Sequence, residues 1–205
     1  MAHTLPRPVV ISGPSGVGKS TLCQRLLAAH PGSLATTVSH TTRQPRPGEV
    51  EGESYYFVSR DEFQSLLARD AFIEHAEFND NLYGTSRQTV IDQTASGSVV
   101  LLDIEMEGVK QLKKKEKEQE HTTQNQIIIS PRFVFIKRPS LATLEARLRG
   151  RATEDEASVQ RRLKRARDEL AYADTDGVYD KIIVNRDLDD AFREREDFVF
   201  NNGKR

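Results

Sequence analysis

Pro8-Val9-Val10-Ile11-Ser12 runs into Gly13-Pro14-Ser15-Gly16-Val17-Gly18-Lys19-Ser20, and Leu22, Leu26 and Leu27 then follow at helical spacing until Pro31-Gly32. A short β-branched apolar run reads as a buried strand, and the 3–4 spacing after the glycines reads as a helix. Between them the eight residues satisfy G-x-x-x-x-G-K-[ST] in full, in the strand-to-helix setting that the pattern requires. The glycines let the backbone turn tightly enough for successive N–H groups to face phosphate oxygens. The helix start adds its partial positive charge. Lys19 then offers an ammonium to β- and γ-phosphates, and Ser20 offers a hydroxyl to Mg²⁺.

Working outward, the same short apolar runs recur at Val99–Leu102, Phe133–Ile136 and Ile182–Val184. Helical patterns lie beside them, as with Leu141, Leu144 and Leu148, or Val159, Leu163, Ala166 and Leu170. Buried strands alternating with helices predict an α/β fold with a parallel central sheet covered on both faces. Asp103 ends the Val99–Leu102 run, at the carboxyl end of a strand, where such sheets bind ligands. There a carboxylate can serve the Mg²⁺ shell, directly or through water.

Bulk composition narrows the function classes. The 205 residues suit one domain with insertions rather than two full ones. No apolar run exceeds four residues, which opposes a membrane span or a secretory leader. With 30 basic and 31 acidic residues the net charge is −1, so phosphate binding must come from placed groups, and nucleic acid is not an expected partner. Cys23 stands alone, so no internal disulfide can form, and the five histidines show no metal-ligand spacing. A cytoplasmic setting and a monomer are the default expectations. No N-K-x-D pattern accompanies the loop, which opposes a GTPase.

Two stretches break the alternation. Segment 38–88 carries Pro45, Pro47, Gly48, Gly52 and Gly84 among Tyr55, Tyr56, Phe57, Phe63, Phe72, Phe78 and Tyr83. It reads as a small subdomain of short strands with one helix near 60–69. Segment 112–130, opening on Lys113-Lys114-Lys115-Glu116-Lys117-Glu118, reads as a solvated helix extension or a mobile loop.

Within 38–88, Ser39-His40-Thr41-Thr42-Arg43-Gln44-Pro45-Arg46-Pro47-Gly48-Glu49 and Gly52-Glu53-Ser54-Tyr55-Tyr56-Phe57 resemble the signature of the guanylate kinase family. Phe72-Ile73-Glu74, Tyr83-Gly84-Thr85 and Leu102-Asp103-Ile104 continue the likeness in order, and only 112–130 falls clearly outside it. The resemblance implies a P-loop three-layer fold with a parallel central sheet. It adds an inserted mixed α+β subdomain for the nucleoside monophosphate at 38–88 and a helical lid at 141–163, on a core of 1–37, 89–140 and 164–205. It implies transfer of the γ-phosphoryl group of ATP to GMP, with dGMP as a second acceptor, and Mg²⁺ as cofactor.

Residue by residue, the likeness implies that ATP is held by Gly13–Ser20, Thr21, Arg147, Arg151 and Asn185, the last near adenine. Arg43 and Arg46 would fork onto the GMP phosphate, with the phenols of Tyr55 and Tyr83 beside them. Glu74 would accept from the ring N–H and exocyclic amine of guanine; adenine has no ring N–H to give, and buried polar complementarity can discriminate by about 10⁴–10⁵. Ser39 and Thr85 would meet guanine's carbonyl side, and Asp103 and Glu105 would also border the GMP site. Lys19, Arg43, Arg147, Arg151 and Arg162 would carry catalysis by neutralising charge, with Ser20 and Asp103 toward the metal. Arg149 and Arg161 receive no role. One departure stands out: where the family often has a second Asp, this chain has Glu105, whose longer side chain reaches differently. Two rival readings keep the fold and change the function. One is a kinase for another nucleoside monophosphate, which Glu74 opposes. The other is a non-catalytic guanylate-kinase-like interaction module, which the intact loop opposes.

Overall fold

The computed structural model describes residues 5–78, 80–119, 129–150 and 155–201. In chain order the elements begin with β1 (Val9–Ser12), α1 (Lys19–Ala29), β2 (Leu34–Thr36), β3 (His40–Thr41), β4 (Tyr56–Phe57), α2 (Arg60–Ala68), β5 (Phe72–Phe78) and β6 (Asn81–Ser86). They continue with α3 (Arg87–Ala95), β7 (Val99–Asp103), α4 (Met106–Gln119), β8 (Arg132–Lys137), α5 (Leu141–Arg149), α6 (Glu156–Ala173), β9 (Lys181–Val184) and α7 (Leu188–Phe200). All four strands expected from apolar runs are present, as is the helix near 60–69. α4 carries the charged segment as far as Gln119, and residues 120–128 of that segment lie outside the described residues.

The fold is α/β with a parallel central sheet, and the chain divides into two compact units. One is built from Val9–Leu34, Asp103–Met106 and Pro131–Arg205. In it β8 pairs in parallel with β1 on one side and with β9 on the other, and β1 is buried along its whole length. Strands hidden on both faces need apolar side chains throughout, which is why these runs are continuous rather than alternating. The helices start on side-chain caps: Ser140 accepts from Thr143 N–H for α5, Asp155 from Ser158 N–H for α6, and Asp187 from Asp189 and Asp190 N–H for α7. At the far end of α7, buried Arg132 donates to the carbonyls of Phe198 and Val199 at 2.5 and 2.7 Å, satisfying acceptors the helix itself leaves open.

The other unit is built from Met1–Pro8, Ala35–Leu102 and Glu107–Ser130. Its four-stranded sheet has the order β4-β3-β6-β5, with β3 and β4 parallel and the other pairs antiparallel. α2 closes a small core in which Phe63 stacks on Phe72 at 4.6 Å between centroids, with Leu82 against them. Gly84 permits this packing, since a Cβ there would lie 2.9 Å from Phe72 Cδ1 and 3.0 Å from Phe63 Cζ. β5 is an edge strand, and α4 covers it: the Gln111 side-chain amide accepts from His75 N–H at 3.1 Å and donates to His75 O at 2.6 Å. A strand edge so satisfied is no longer a template for another chain. The face of α4 that meets the unit holds buried Val109 and Leu112, while Lys110, Lys113 and Lys114 pair with Glu107, Glu116 and Glu118 along the helix.

Candidate active site

The loop Gly13–Ser20 is fixed by its backbone. Gly13, Gly16 and Gly18 have φ of 139°, 90° and 101°, where side-chain-bearing residues are strained. At Gly13 a Cβ would stand 2.1 Å from Ile136 O, so glycine is required there by space as well as by conformation. Gly18 caps α1 without a side-chain hydrogen bond, and no acidic residue lies in the first helical turn. The first N–H groups of α1 and the positive end of its dipole therefore stay open to an anion. Lys19 Nζ donates to Gly13 O at 2.6 Å, which folds the ammonium back over the loop. Asn185, buried after β9, donates through Nδ2 to Val17 O at 2.7 Å and braces the turn from below.

Cationic side chains of the same unit converge on this loop. Arg162 on α6 donates from Nη1 to Ser15 Oγ at 2.6 Å. Arg147 on α5 lines a cavity that it shares with Gly18 and Thr21. Arg151 lies outside the described residues. Asp103 stands at the end of β7, and the chain after it is tied to β1 by Ile104 N–H on Ile11 O at 3.1 Å. Its residue surface is exposed while protein crowds the carboxyl on its other sides. That crowding raises its pKa; Lys19 and then Arg195 pull it back, and Glu105 adds a small push upward. Ser20 and Asp103 supply a hydroxyl and a carboxylate, the hard oxygen donors Mg²⁺ prefers. Among the described residues no cluster of three or more His, Cys, Asp or Glu could hold a metal. A cation that keeps several waters and takes its other ligands from phosphates fits this donor set, and that is the usual habit of Mg²⁺.

Three residues of this unit escaped the sequence reading. Arg165, one turn beyond Arg162, forms an ion pair with Glu105 and a second with Glu169 at 3.2 Å. The departure at Glu105 is thus answered by a cation on α6, which its extra methylene allows it to reach. Glu169 is 6% exposed, and burial raises its pKa against the opposing pull of Lys19 and Arg165. Arg195 is fully buried in α7 and donates to Cys23 Sγ at 3.0 Å, while its Nε and Nη1 have no partner among the described residues. Burial pushes the Cys23 thiol up, so it remains the neutral partner of this cation. The signal for Arg165 was its i+3 spacing from Arg162; nothing local in the sequence marks Arg195.

The second unit carries the other expected residues. Glu74 in β5 is 9% exposed and faces Thr85 in β6 across the register, and Thr85 Oγ1 donates to Glu74 Oε1 at 2.5 Å. One carboxylate oxygen is thereby held by the sheet. Ser39 precedes β3 and accepts from Tyr56 N–H through its carbonyl. Arg43 forks onto Glu49, Nη1 to Oε2 at 3.0 Å and Nη2 to Oε1 at 2.8 Å, and Arg46 N–H donates to the same carboxylate at 2.7 Å. Arg43 also lies over the Tyr55 ring at 5.3 Å, and Tyr55 and Tyr83 sit edge to face at 6.1 Å. Hydrogen bonding to Glu49 holds the Arg43 guanidinium still more firmly protonated, and Arg43 and Arg46 hold the Glu49 carboxyl below its usual range. Glu49 is the missed member of this group: a two-oxygen anion already on the arginine fork.

A strand, a glycine-rich turn forced by its neighbours and an uncapped helix start define a P-loop nucleotide-binding protein of the α/β class. The model of the guanylate kinase family matches residues 5–202. The chain is 44% identical over 190 residues to a guanylate kinase of Schizosaccharomyces pombe, covering 93% of this chain and 88% of that one. It is 44% identical over 197 residues to a guanylate kinase of Synechococcus elongatus, covering 96% and 99%. A crystal structure of guanylate kinase from Anaplasma phagocytophilum superposes with a TM-score of 0.68 at 32% identity, over 97% of this chain and 87% of that one. This chain belongs to the guanylate kinase family.

Proposed function

We propose that this guanylate kinase family member transfers the γ-phosphoryl group of ATP to GMP, and to dGMP, giving ADP and the nucleoside diphosphate. In this reading ATP lies on Gly13–Ser20 and Thr21, where main-chain N–H groups and Lys19 take its phosphates, with Asn185 toward adenine. GMP lies in 38–88. Arg43, Arg46, Tyr55 and Tyr83 take its phosphate, Glu74 takes the ring N–H and amine of guanine, and Ser39 takes the carbonyl side with Thr85, whose hydroxyl hydrogen is on Glu74, beside it. The observation that carries the reading is the buried Glu74 carboxylate pinned by Thr85, because an acceptor fixed in a dry site selects guanine over adenine.

The GMP phosphate oxygen is already a nucleophile at neutral pH, so the residues align and neutralise rather than abstract a proton. Lys19, Arg147, Arg151 and Arg162 oppose charge spreading over the transferred group, and the lid 141–163 keeps water from competing with GMP. Ser20 and Asp103 would hold Mg²⁺, directly or through water; bound there with ATP, the ion supplies further neutralisation of the phosphates. Asp103 and Glu105 border the acceptor in this scheme. A cytoplasmic setting suits the lone cysteine, and a monomer is the default reading. Among the described residues no helix is long and apolar enough to cross a membrane.

A coupled ADP-release assay with GMP, dGMP, AMP, CMP and UMP tests the reading. Turnover with GMP far above AMP is expected. Equal turnover with AMP removes the guanine assignment, and no turnover with any acceptor favours the interaction-module alternative.

A further inference from the structure

β8 and β9 end side by side, Lys137 in register with Val184, and Asn185 N–H donates to Lys137 O at 2.8 Å. The next residue of each strand, Arg138 and Asn185, therefore emerges at the carboxyl edge of the parallel sheet, where open α/β sheets bind ligands. The two are linked: Arg138 Nη1 donates to the Asn185 main-chain carbonyl at 3.1 Å, and Asn185 in turn donates to the phosphate loop at Val17 O. A cavity of about 200 Å³ opens at this point, bordered by Gly18, Thr21, Arg138, Arg147, Asn185 and Asp187.

Charge and hydrogen bonding in the cavity are unbalanced. Arg138 Nε is buried with no acceptor among the described residues. Burial, and then the like charge of Arg147, push the Arg138 pKa down, and Arg186 adds a third cation to the cavity wall. Among the described residues no carboxylate pairs with Arg138, and Asp187 Oδ1 accepts from Asp189 and Asp190 N–H as the cap of α7. Like charges held side by side repel, and acceptors on an occupant of the cavity relieve that repulsion. The occupant must therefore carry acceptors, and a flat one is favoured because guanidinium is planar, stacks on aromatic rings and donates in its own plane.

We propose that Arg138 binds the nucleoside of the donor nucleotide, stacking on or donating to its heterocycle and ribose from an anchor on the Asn185 carbonyl. The proposal rests on the reading that ATP occupies Gly13–Ser20. Phosphates are taken by the loop's own N–H groups, and the cavity begins at Gly18 and Thr21, past that turn. Nothing in the sequence pattern around Lys137-Arg138-Pro139-Ser140 gave Arg138 a role.

Arg138→Ala and Arg138→Lys are compared with the unchanged chain by KM for ATP at saturating GMP, and by calorimetric binding of ATP and of inorganic tripolyphosphate, which has no base. The alanine variant is expected to weaken ATP by roughly 3- to 30-fold, as for loss of one cation–π contact, with tripolyphosphate binding and KM for GMP unchanged. The lysine variant keeps the charge and loses the plane, so it recovers only part of the loss. Unchanged ATP binding overturns the proposal, and so does an equal loss of ATP and tripolyphosphate, which would mark a charge acting on phosphates. Should Arg138→Ala not fold, Arg138→Gln gives the same comparison with a side chain that still reaches the Asn185 carbonyl. If the unchanged chain itself binds neither ATP nor tripolyphosphate, the reading of the loop fails as well, a failure visible before any variant is made.

Discussion

The phosphate loop and the 38–88 sheet are built by different means for the ligands proposed for them. At Gly13–Ser20 the binding groups are main-chain N–H groups held by positive φ angles and by the close approach of Gly13 to Ile136 O. In the small sheet the proposed groups are side chains, and two of them are already engaged with a neighbour: Arg43 with Glu49, Glu74 with Thr85. The first site is shaped by what the backbone cannot avoid. The second is shaped by side-chain pairs that keep charged groups oriented at the cost of an internal competitor. Glu49 presents two oxygens to Arg43 as a phosphate would, so in the proposed scheme GMP would take over or share that fork. A backbone cradle should tolerate changes around it and fail sharply at its lysine, whereas a side-chain site should lose selectivity step by step.

The largest expected effect separates the two kinds of site. Lys19→Ala should lower kcat by about 10²–10³, as loss of one preorganised charge donor does, with KM for GMP little changed. Near-native turnover would show that the main-chain amides suffice. Glu74→Gln should reduce kcat/KM for GMP by roughly 10- to 100-fold, since hydrogen bonds to a charged group are worth about 1.5–3 kcal/mol, and should narrow the GMP-to-AMP ratio in the ADP-release assay. A preserved ratio would move guanine recognition away from residue 74. Gly84→Ala should destabilise the Phe63–Phe72 core by about 1–3 kcal/mol, the usual range for overpacking. Thermal melting should show a lower Tm, while ATP binding at 25 °C stays as it was; a loss of ATP binding in the folded variant would mean the two sites are not separable in this way.

The smallest effect concerns α5 and α6, the helices that carry Arg147 and Arg162. Arg149 pairs with Glu156 and with Glu145, bridging α5 and α6, and the Glu156 carboxyl is pulled down from 4.5 to about 2 by Arg149 and then Gln160. A carboxyl depressed in the folded state contributes stability above its unfolded pKa and loses it as the pH falls. The contribution is therefore complete above about 4.5 and disappears toward about 2. Both groups are solvent-exposed, so salt and water screen the pair strongly. Glu156→Gln should slightly flatten the fall of Tm with acid across that window and leave Tm at neutral pH nearly unchanged. An identical acid limb in the variant would assign the pair no role in stability.

These contrasts explain how much of the chain could be read without coordinates. Local constraints were legible: strands β1, β7, β8 and β9 from continuous apolar runs, α2 as the one helix expected within 38–88, and the phosphate loop from glycines that no other residue could replace. Glu74 and Thr85 were legible only as members of a resembling motif, and their hydrogen bond appeared once β5 and β6 were in register. Glu105 was visible as a departure, but its partner Arg165 lies sixty residues away on α6 and is chosen by packing. Arg195 and Cys23 are farther apart still, and Arg138 meets Asn185 only because β8 and β9 end together. Sequence alone determined the backbone shapes, because a left-handed turn or a doubly buried strand restricts which residues can occupy it. Tertiary structure decided which charges face one another, because a long polar side chain has many partners in reach and only the packing of distant elements brings particular ones within bonding distance.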